Sequence, residues 1–224
     1  MYLHKISLDK ETSVKERKKW HDAYILHQKI WALASQDQKQ KRNFLYRVEY
    51  DIYQNIKYIY LLAPYQITSQ NGFRVTVSPR YQPEIETNDC LCFKLTANPI
   101  IKRKENGKAK EYNLIMDAKH RFKIDKKDYL DQNSLDELIY DVGMKWLTRK
   151  GEQHGFAVKR FEVIINNDRE YNIKPIGRQE YILRTLDFSG ILTVTDPSLF
   201  LKTLYEGVGS AKGFGCGLML VRRV

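Results

Sequence analysis

The sequence predicts a mixed α+β protein made of two successive β-α-β-β-α-β units with antiparallel sheets. In each half of the chain, strands rich in aromatic and β-branched residues follow a helical pattern that a Ser-x-x-Glu capping box introduces. A Pro- and polar-rich stretch at residues 78–89 separates the halves. Because 224 residues suffice for two domains, this order predicts two tandem ferredoxin-like (RRM-like) domains, at residues 1–88 and 89–224.

The first unit begins with an alternating strand at residues 1–8, and the capping box at residues 13–16 opens a helix that runs to about Ser35. One side of this helix carries Trp20, Ala23, Tyr24, His27, Ile30, Trp31 and Ala34. Three strands are then expected at residues 44–51, 57–62 and 73–78. A second helix, expected before the last of these strands, has only an indistinct pattern.

The second unit begins with an apolar strand at residues 90–101, and the capping box at residues 134–137 opens its first helix. The apolar stripe of that helix consists of Leu135, Leu138, Ile139, Val142 and Trp146. Further strands are expected at residues 156–165, 181–195 and 217–222. Asp196 and Pro197 supply the N-cap and first-turn proline of the last helix, which Gly207 ends.

The net charge and the hydropathy pattern limit the classes of molecule that this protein is expected to bind. Lys and Arg total 38 against 27 Asp and Glu, a net charge of +11, which favours a polyanion. Nucleic acid is the first candidate and an acidic membrane surface the second. No stretch approaches the roughly 18 consecutive apolar residues of a membrane span, and residues 1–8 have a strand pattern instead of a signal segment. We therefore expect a cytoplasmic protein without a membrane partner.

The cysteines and histidines do not form a recognisable metal motif. Cys90, Cys92 and Cys216 make neither an even disulfide framework nor a zinc pattern, and we expect them to be small buried residues, with Cys90 and Cys92 on one sheet face. The five histidines show no paired-ligand spacing; they are His4, His21, His27, His120 and His154. No metal or other cofactor is predicted.

A glycine-rich segment at residues 207–217 is the first candidate binding element. Backbone N–H groups of such a loop can approach an anion closely, and Lys212 adds a positive charge, so a phosphate backbone is a natural ligand. The candidate RNA-binding residues are Gly207, Gly209, Ser210, Lys212, Gly213 and Gly215. A tight helix-to-strand connection is the alternative. No Gly-Lys-Ser/Thr ending follows, so a triphosphate-binding Walker loop is not predicted.

His27 and Tyr24 are the candidate catalytic residues. They lie one turn apart on one side of the first predicted helix, which would bring two proton-transfer groups to one site. The alternative is that His27 is a buried, hydrogen-bonded core histidine.

A basic hairpin is predicted around Asn106 and Gly107, long enough to enter a groove or follow a nucleic-acid backbone. Its candidate RNA-binding residues are Lys102, Arg103, Lys104, Lys108 and Lys110. The positive surface is extended by Lys119, Arg121, Lys123, Lys126 and Lys127. For any one of these residues, solubility is the alternative role.

Four motifs occur in order along the whole chain. They are a Met-Tyr-Leu start, Tyr24-x-Leu-His-Gln-x-x-Trp on the first helix, Leu95-Thr-Ala-Asn-Pro at the second domain, and Gly207-x-Gly-x-Ala-Lys-x-x-Gly-Cys-Gly-Leu near the end. In this combination the chain resembles the CasE family of endoribonucleases, the subunits of type I-E Cascade that process CRISPR RNA. Thr96 is a departure, because the family often has arginine there, and that arginine's RNA contact is not carried over.

The resemblance implies two ferredoxin-like domains, recognition of the CRISPR repeat hairpin, cleavage at the 3′ base of its stem, and retention of the product within Cascade. By matching position it implies that His27 is the catalytic histidine and Tyr24 its neighbour. It also places Lys212 and the loop 207–217 where the family holds RNA near the scissile phosphate.

The expected chemistry needs no bound metal, because the 2′-hydroxyl of RNA is the nucleophile and His27 transfers a proton as base or as acid. Expected products are a 5′-hydroxyl and a 2′,3′-cyclic or 3′ phosphate. Two rival hypotheses remain: a non-catalytic RNA-binding subunit of a ribonucleoprotein complex, and a structural subunit whose basic face meets a partner protein or a long guide RNA.

Overall fold

The structure is a computed structural model that describes residues 1–8, 20, 22–35, 42–51, 56–70, 72–105, 107–126, 132–175, 177 and 179–224. The elements of the first half are β1 (Tyr2–Leu8), α1 (Ala23–Ala34), β2 (Leu45–Asp51), β3 (Ile56–Ala63) and β4 (Phe73–Val77). The second half opens with β5 (Cys90–Ala97), β6 (Ile100–Glu105), β7 (Lys108–Asn113), α2 (Leu114–Lys126) and α3 (Gln132–His154). It continues with β8 (Phe156–Ile173), β9 (Tyr181–Val194), α4 (Pro197–Glu206), a 3₁₀ turn (Lys212–Phe214) and β10 (Met219–Arg223).

The strands form two four-stranded antiparallel sheets with the same topology. Their orders are β2-β3-β1-β4 and β10-β5-β9-β8. In both sheets the first and third strands of the unit lie in the middle and the second and fourth at the edges, which is the ferredoxin-like arrangement. The predicted fold class is therefore confirmed. The hairpin β6-β7 and helix α2 are an insertion between the first strand and first helix of the second unit.

Several element boundaries differ from the predictions. The apolar strand expected at 90–101 breaks after Ala97, because Asn98 and Pro99 separate β5 from β6 and proline cannot donate to a ladder. No helix occurs in the described part of segment 64–72, so the second helix predicted for the first unit was wrong. Helix α2 was not predicted at all.

The two predicted capping boxes also need correction. The box at residues 134–137 lies inside α3, which already includes Gln132, so Ser134 is not its N-cap. The box at residues 13–16 lies outside the described residues. At the other end of the chain the local signals were accurate: the side chain of Asp196 accepts from Leu199 N, Pro197 is in the first turn of α4, and Gly207 ends the helix with φ 78°.

Each sheet has its own hydrophobic core, and a third cluster joins the two halves. The first core includes Ile6, Ile30, Leu61 and Phe73, and the second includes Leu95, Leu147, Phe188 and Phe200. The joining cluster contains Leu45 and Leu62 from the first sheet and Leu218, which precedes β10. It holds the end of the glycine-rich segment against β2 and β3.

The cysteines are only partly as expected. Cys216 is buried, and burial raises its thiol pKa to about 12. Cys90 is exposed and Cys92 half-buried, so the expectation of three buried cysteines was wrong. The reason is that burial alternates along β5, with Cys90 and Cys92 on the less buried face of the strand. Within the described residues, no helix is long and apolar enough to cross a membrane.

Candidate active site

Helix α1 turns His27 and Tyr24 toward the second half of the molecule. Asp22 begins the helix by accepting hydrogen bonds from the backbone N–H groups of Tyr24 (2.8 Å) and Ile25 (3.0 Å). The buried positions of α1 are Leu26, Ile30, Leu33 and Ala34. The predicted stripe was therefore only partly correct, because Tyr24, His27 and Trp31 lie beside this face and remain half-buried. His27 is thus not a core histidine.

Two backbone hydrogen bonds hold the base of the glycine-rich loop, one within the loop and one to β5. Val208 N donates to Gly217 O (2.9 Å), and Gly217 N donates to Thr96 O (2.8 Å). Gly207 has a φ of 78°, and a Cβ there would lie 2.9 Å from both Gly217 O and Leu45 Cδ1. Only glycine allows this approach of the loop to β2. The 3₁₀ turn is thereby brought next to α1.

The loop meets His27 at Gly213. The Nδ1 atom of His27 lies 2.5 Å from Gly213 O, and the hydroxyl of Tyr46 donates to the same oxygen at 2.9 Å. A carbonyl oxygen only accepts, so Nδ1 must carry the proton in this contact. Burial strongly raises the pKa of Tyr46, which keeps its hydroxyl a neutral donor. The ring therefore directs Nε2 away from the carbonyl, and Nε2 makes no hydrogen bond to the described residues.

Aromatic side chains fix the plane of the His27 ring. Phe214 stacks on it with a centroid distance of 4.8 Å and an angle of 26°, and Trp31 packs edge-on at 5.9 Å. The Tyr24 ring lies 6.3 Å away, so the predicted pair is brought together. Tyr181, which the sequence did not single out, packs edge-on against Phe214. Burial, and then the nearby Tyr24, raise the pKa of Tyr181.

Lys212 points to a different group of residues from those around His27. Its Nζ donates to Glu206 O (2.7 Å), one of the free carbonyls at the C-terminal end of α4. Burial lowers the pKa of Lys212, and repulsion from Arg42 and Lys150 lowers it further. Burial, Lys150 and Lys212 likewise lower the pKa of His154. We call Arg42, Lys150 and Lys212 the basic cluster. Lys212 thus belongs to the basic cluster, whereas the next residue, Gly213, contacts His27.

Two of the sequence motifs contact each other. The Ser210 hydroxyl donates to Asn98 O (3.3 Å) and accepts from Asn98 Nδ2 (3.3 Å). The hydroxyl of Thr96, the position where the chain departs from the family pattern, donates to Asp187. Asn98 immediately precedes the basic hairpin, so this contact ties the base of the hairpin to the loop.

The hairpin forms as predicted, with Gly107 at its tip in a left-handed conformation (φ 78°). Its charges are partly neutralised: Lys102 pairs with Glu111 (3.0 Å), and Arg103 makes a bidentate contact of two 2.5 Å hydrogen bonds with Asp117 of α2. Lys104 and Lys110 are exposed.

The remaining predicted basic residues fall on α2 or beyond it. Arg121 pairs with Asp117 at 3.3 Å and Lys119 is half-buried. Lys127 and Asn106 lie outside the described residues, and the side chains of Lys108, Lys123 and Lys126 are likewise not described. Among the residues whose placement is given, no group of three His, Cys, Asp or Glu side chains forms a metal site.

The chain has identifiable relatives over its full length. The family model described as CRISPR associated protein matches residues 1–223. The chain is 26% identical over 219 residues to the CRISPR system Cascade subunit CasE of Escherichia coli (strain K12), with 98% of each sequence covered. The crystal structure of Cas6e from E. coli K-12 matches with a TM-score of 0.67, 22% identity and full coverage of both chains. Thermus thermophilus Cse3, bound to an RNA representing a pre-cleavage complex, matches with a TM-score of 0.71 and 19% identity over 99% of this chain and 98% of that one.

Proposed function

The chain belongs to the family of CRISPR associated proteins, and we propose that it is a metal-independent endoribonuclease that matures CRISPR RNA. It recognises the repeat hairpin, cleaves the precursor at the 3′ base of the stem, and stays bound as a Cascade subunit. Support comes from the CasE relative, a Cascade subunit, and from the Cse3 relative, whose RNA complex is described as pre-cleavage. The observation that carries the proposal is the contact between His27 Nδ1 and the Gly213 carbonyl.

Under this proposal, Nε2 is the atom of His27 that reacts, because the contact with Gly213 O occupies Nδ1. Cleavage needs a base for the 2′-hydroxyl, an acid for the leaving 5′-oxygen, and stabilisation of the charge on phosphorus. With Nδ1 protonated, the neutral ring presents a basic Nε2 and the imidazolium presents an acidic Nε2–H. Nε2 can therefore act in either step, and Tyr24, whose ring centroid lies 6.3 Å from that of His27, orients or shares the proton. The products are a 5′-hydroxyl and a 2′,3′-cyclic or 3′ phosphate.

The loop and its cations hold the RNA backbone. Arg42 Nη1 is buried without a hydrogen-bond partner among the described residues, and Lys212 is repelled by both other members of the basic cluster. A phosphate would supply the missing acceptor and relieve the repulsion. Backbone N–H groups of the loop, with Gly209 and Ser210, add to this cradle. Lys104 and Lys110 on the exposed hairpin contact the stem.

The proposal also covers the domains and the cellular setting. We propose two domains, at residues 1–88 and 89–224; a turn in which Asp89 accepts from Glu86 N (3.0 Å) immediately before β5 supports this division. The partners are the precursor and mature CRISPR RNA and the other Cascade subunits. The protein acts in the cytoplasm, and no cofactor is required.

The test uses an RNA hairpin with the sequence of the cognate CRISPR repeat. The wild-type protein should cleave it in the presence of chelator, and a single 2′-deoxy substitution at the scissile nucleotide should block cleavage without changing binding. His27→Ala should reduce the single-turnover rate at least 100-fold while affinity changes by less than about tenfold. A wild-type protein that binds the hairpin without cleaving it would instead be a non-catalytic subunit.

A further inference from the structure

A cavity of about 410 Å³ lies next to the His27 site, where β2 faces β8 and β9 of the second sheet. Phe214 and Gly215 of the loop form part of its wall, and Ala23 of α1 forms another part. Phe214 is also the residue that stacks on His27. The cavity and the proposed catalytic histidine thus share a wall.

Two buried donors in the cavity lining have no acceptor. Trp20 is 3% exposed and the Arg47 side chain 6% exposed, and both residues line the cavity. Neither Trp20 Nε1 nor Arg47 Nη1 has a hydrogen-bond partner among the described residues. Buried donors are nearly always paired in folded proteins. Both atoms are buried beside the cavity, and a ligand that brings acceptors would pair them once these side chains turn toward it.

The charges of the lining favour a neutral ligand over a phosphate. Arg47 donates through Nε to Glu49, and its Nη2 lies 3.9 Å from Asp187. At the rim, Lys94 pairs with Glu49 (3.5 Å) and Arg169 with Asp187 (3.5 Å). Each cation of the lining thus already faces a carboxylate, and a phosphate entering the cavity would be repelled by both carboxylates. A ligand with acceptors for the two donors and donors for a carboxylate matches the lining better.

We propose that this cavity receives one nucleobase of the RNA, extruded from the strand beside the scissile phosphate. The proposal rests on the proposed function. A cavity of this volume accommodates one nucleotide, and an extruded base is typically recognised by hydrogen bonds to its Watson–Crick edge. Guanine has the matching edge, because its O6 accepts from Arg47 Nη1 or Trp20 Nε1 while N1–H and the N2 amine donate to Asp187. Seating this base fixes which phosphate lies at His27.

The test is a set of repeat hairpins that carry one abasic nucleotide at each position within three of the cleavage site. All carry the 2′-deoxy substitution, so that binding is measured without cleavage. For wild-type protein, one abasic position should weaken binding at least tenfold, and inosine at that position should reproduce part of the loss. In Arg47→Met the same abasic nucleotide should cost less than twofold, because the interaction is already absent. Arg74→Met, an equal loss of charge on the exposed side of β4, is the matched control and should keep the full penalty.

Trp20→Phe gives a second measurement if Arg47→Met fails to fold. It replaces the indole with a phenyl ring, which removes the N–H together with the pyrrole part of the side chain and leaves an aromatic ring beside Phe73. It should lower the melting temperature of the free protein, because the smaller ring leaves core volume unfilled, and it should reduce the abasic penalty severalfold. Wild-type protein that binds and cleaves the unmodified hairpin, with no abasic position coupled to Trp20 or Arg47 in the uncleavable series, would overturn the nucleobase site alone. Absence of any hairpin binding by wild-type protein would overturn the proposed function and this site together.

Discussion

Gly213 is the position where one added methyl group tests the proposed chemistry most directly. A Cβ built there would lie 3.2 Å from Cε1 and 3.4 Å from Nδ1 of His27. The backbone of Gly213 is outside the left-handed region, so alanine adopts it without strain. Gly213→Ala therefore changes little except the position of the imidazole.

The expected loss of cleavage rate follows from that geometry. The first distance is shorter than an ordinary van der Waals contact, so the ring must move by a few tenths of an ångström. A misplacement of about 1 Å typically costs about 100-fold in rate, so this shift should lower the single-turnover rate about five- to tenfold. RNA affinity should be unchanged, because neither the basic cluster nor the hairpin is altered. The free energy of unfolding should fall by less than about 1 kcal/mol.

The assay compares single-turnover cleavage at saturating protein for wild type, Gly213→Ala, His27→Ala and the double variant. Because the added methyl group acts only through the imidazole, Gly213→Ala should have no further effect once His27 is alanine. A wild-type rate for Gly213→Ala, or an equal loss in both backgrounds, would refute the assignment of His27 as the group that Gly213 positions.

Three further outcomes are expected. Tyr46→Phe removes one of the two hydrogen bonds to Gly213 O and should lower both the cleavage rate, severalfold, and the unfolding free energy, by about 1 kcal/mol in urea titrations. Lys212→Ala should reduce the slope of log affinity against log salt concentration by about one unit if its ammonium meets a phosphate; an unchanged slope would restrict Lys212 to capping α4. The pKa of His4 is lowered from 6.5 by burial, so the stability from its neutral form is complete above pH 6.5 and is lost as pH falls toward the lowered value. Urea midpoints at pH 7.5 and 5.5 should therefore differ less for His4→Phe than for wild type, with His154 contributing a change of the same sign in both.

The parts of the fold that could be predicted are those specified by neighbouring residues. Asp196, Pro197 and Gly207 delimit α4 because a side-chain cap, a fixed φ and a left-handed end act within one turn. The order of strands and helices was enough for the sheet topology. Helix α2 was missed because charged residues dominate it and no apolar stripe marks it. The helix expected between β3 and β4 rested on an indistinct pattern, and no helix occurs among the described residues of that segment.

The residues of the candidate site could be predicted from the sequence, but their arrangement in space could not. His27, Tyr24 and the glycine-rich loop were singled out, but their mutual geometry depends on contacts between residues at opposite ends of the chain. Tyr46 lies in a strand of aromatic and β-branched residues, and nothing in the sequence distinguishes it from other core tyrosines. Its role follows only from the structure, in which its hydroxyl donates to Gly213 O. Lys212 was expected beside the scissile phosphate, and the hydrogen bond from its Nζ to Glu206 O could not be anticipated from glycine spacing.

The arrangement explains why two similar domains would be joined in one enzyme. The first half supplies His27, the proposed catalytic residue, and the second supplies the carbonyl of Gly213 that sets its tautomer. Neither half contains both groups, so the basic Nε2 is defined only when the halves are docked. The cluster of Leu45, Leu62 and Leu218 provides that docking beside the loop, and burial of these side chains from water stabilises it. Because protein interiors are packed too closely to deform freely, the geometry of the proposed site depends on the interface between the two sheets.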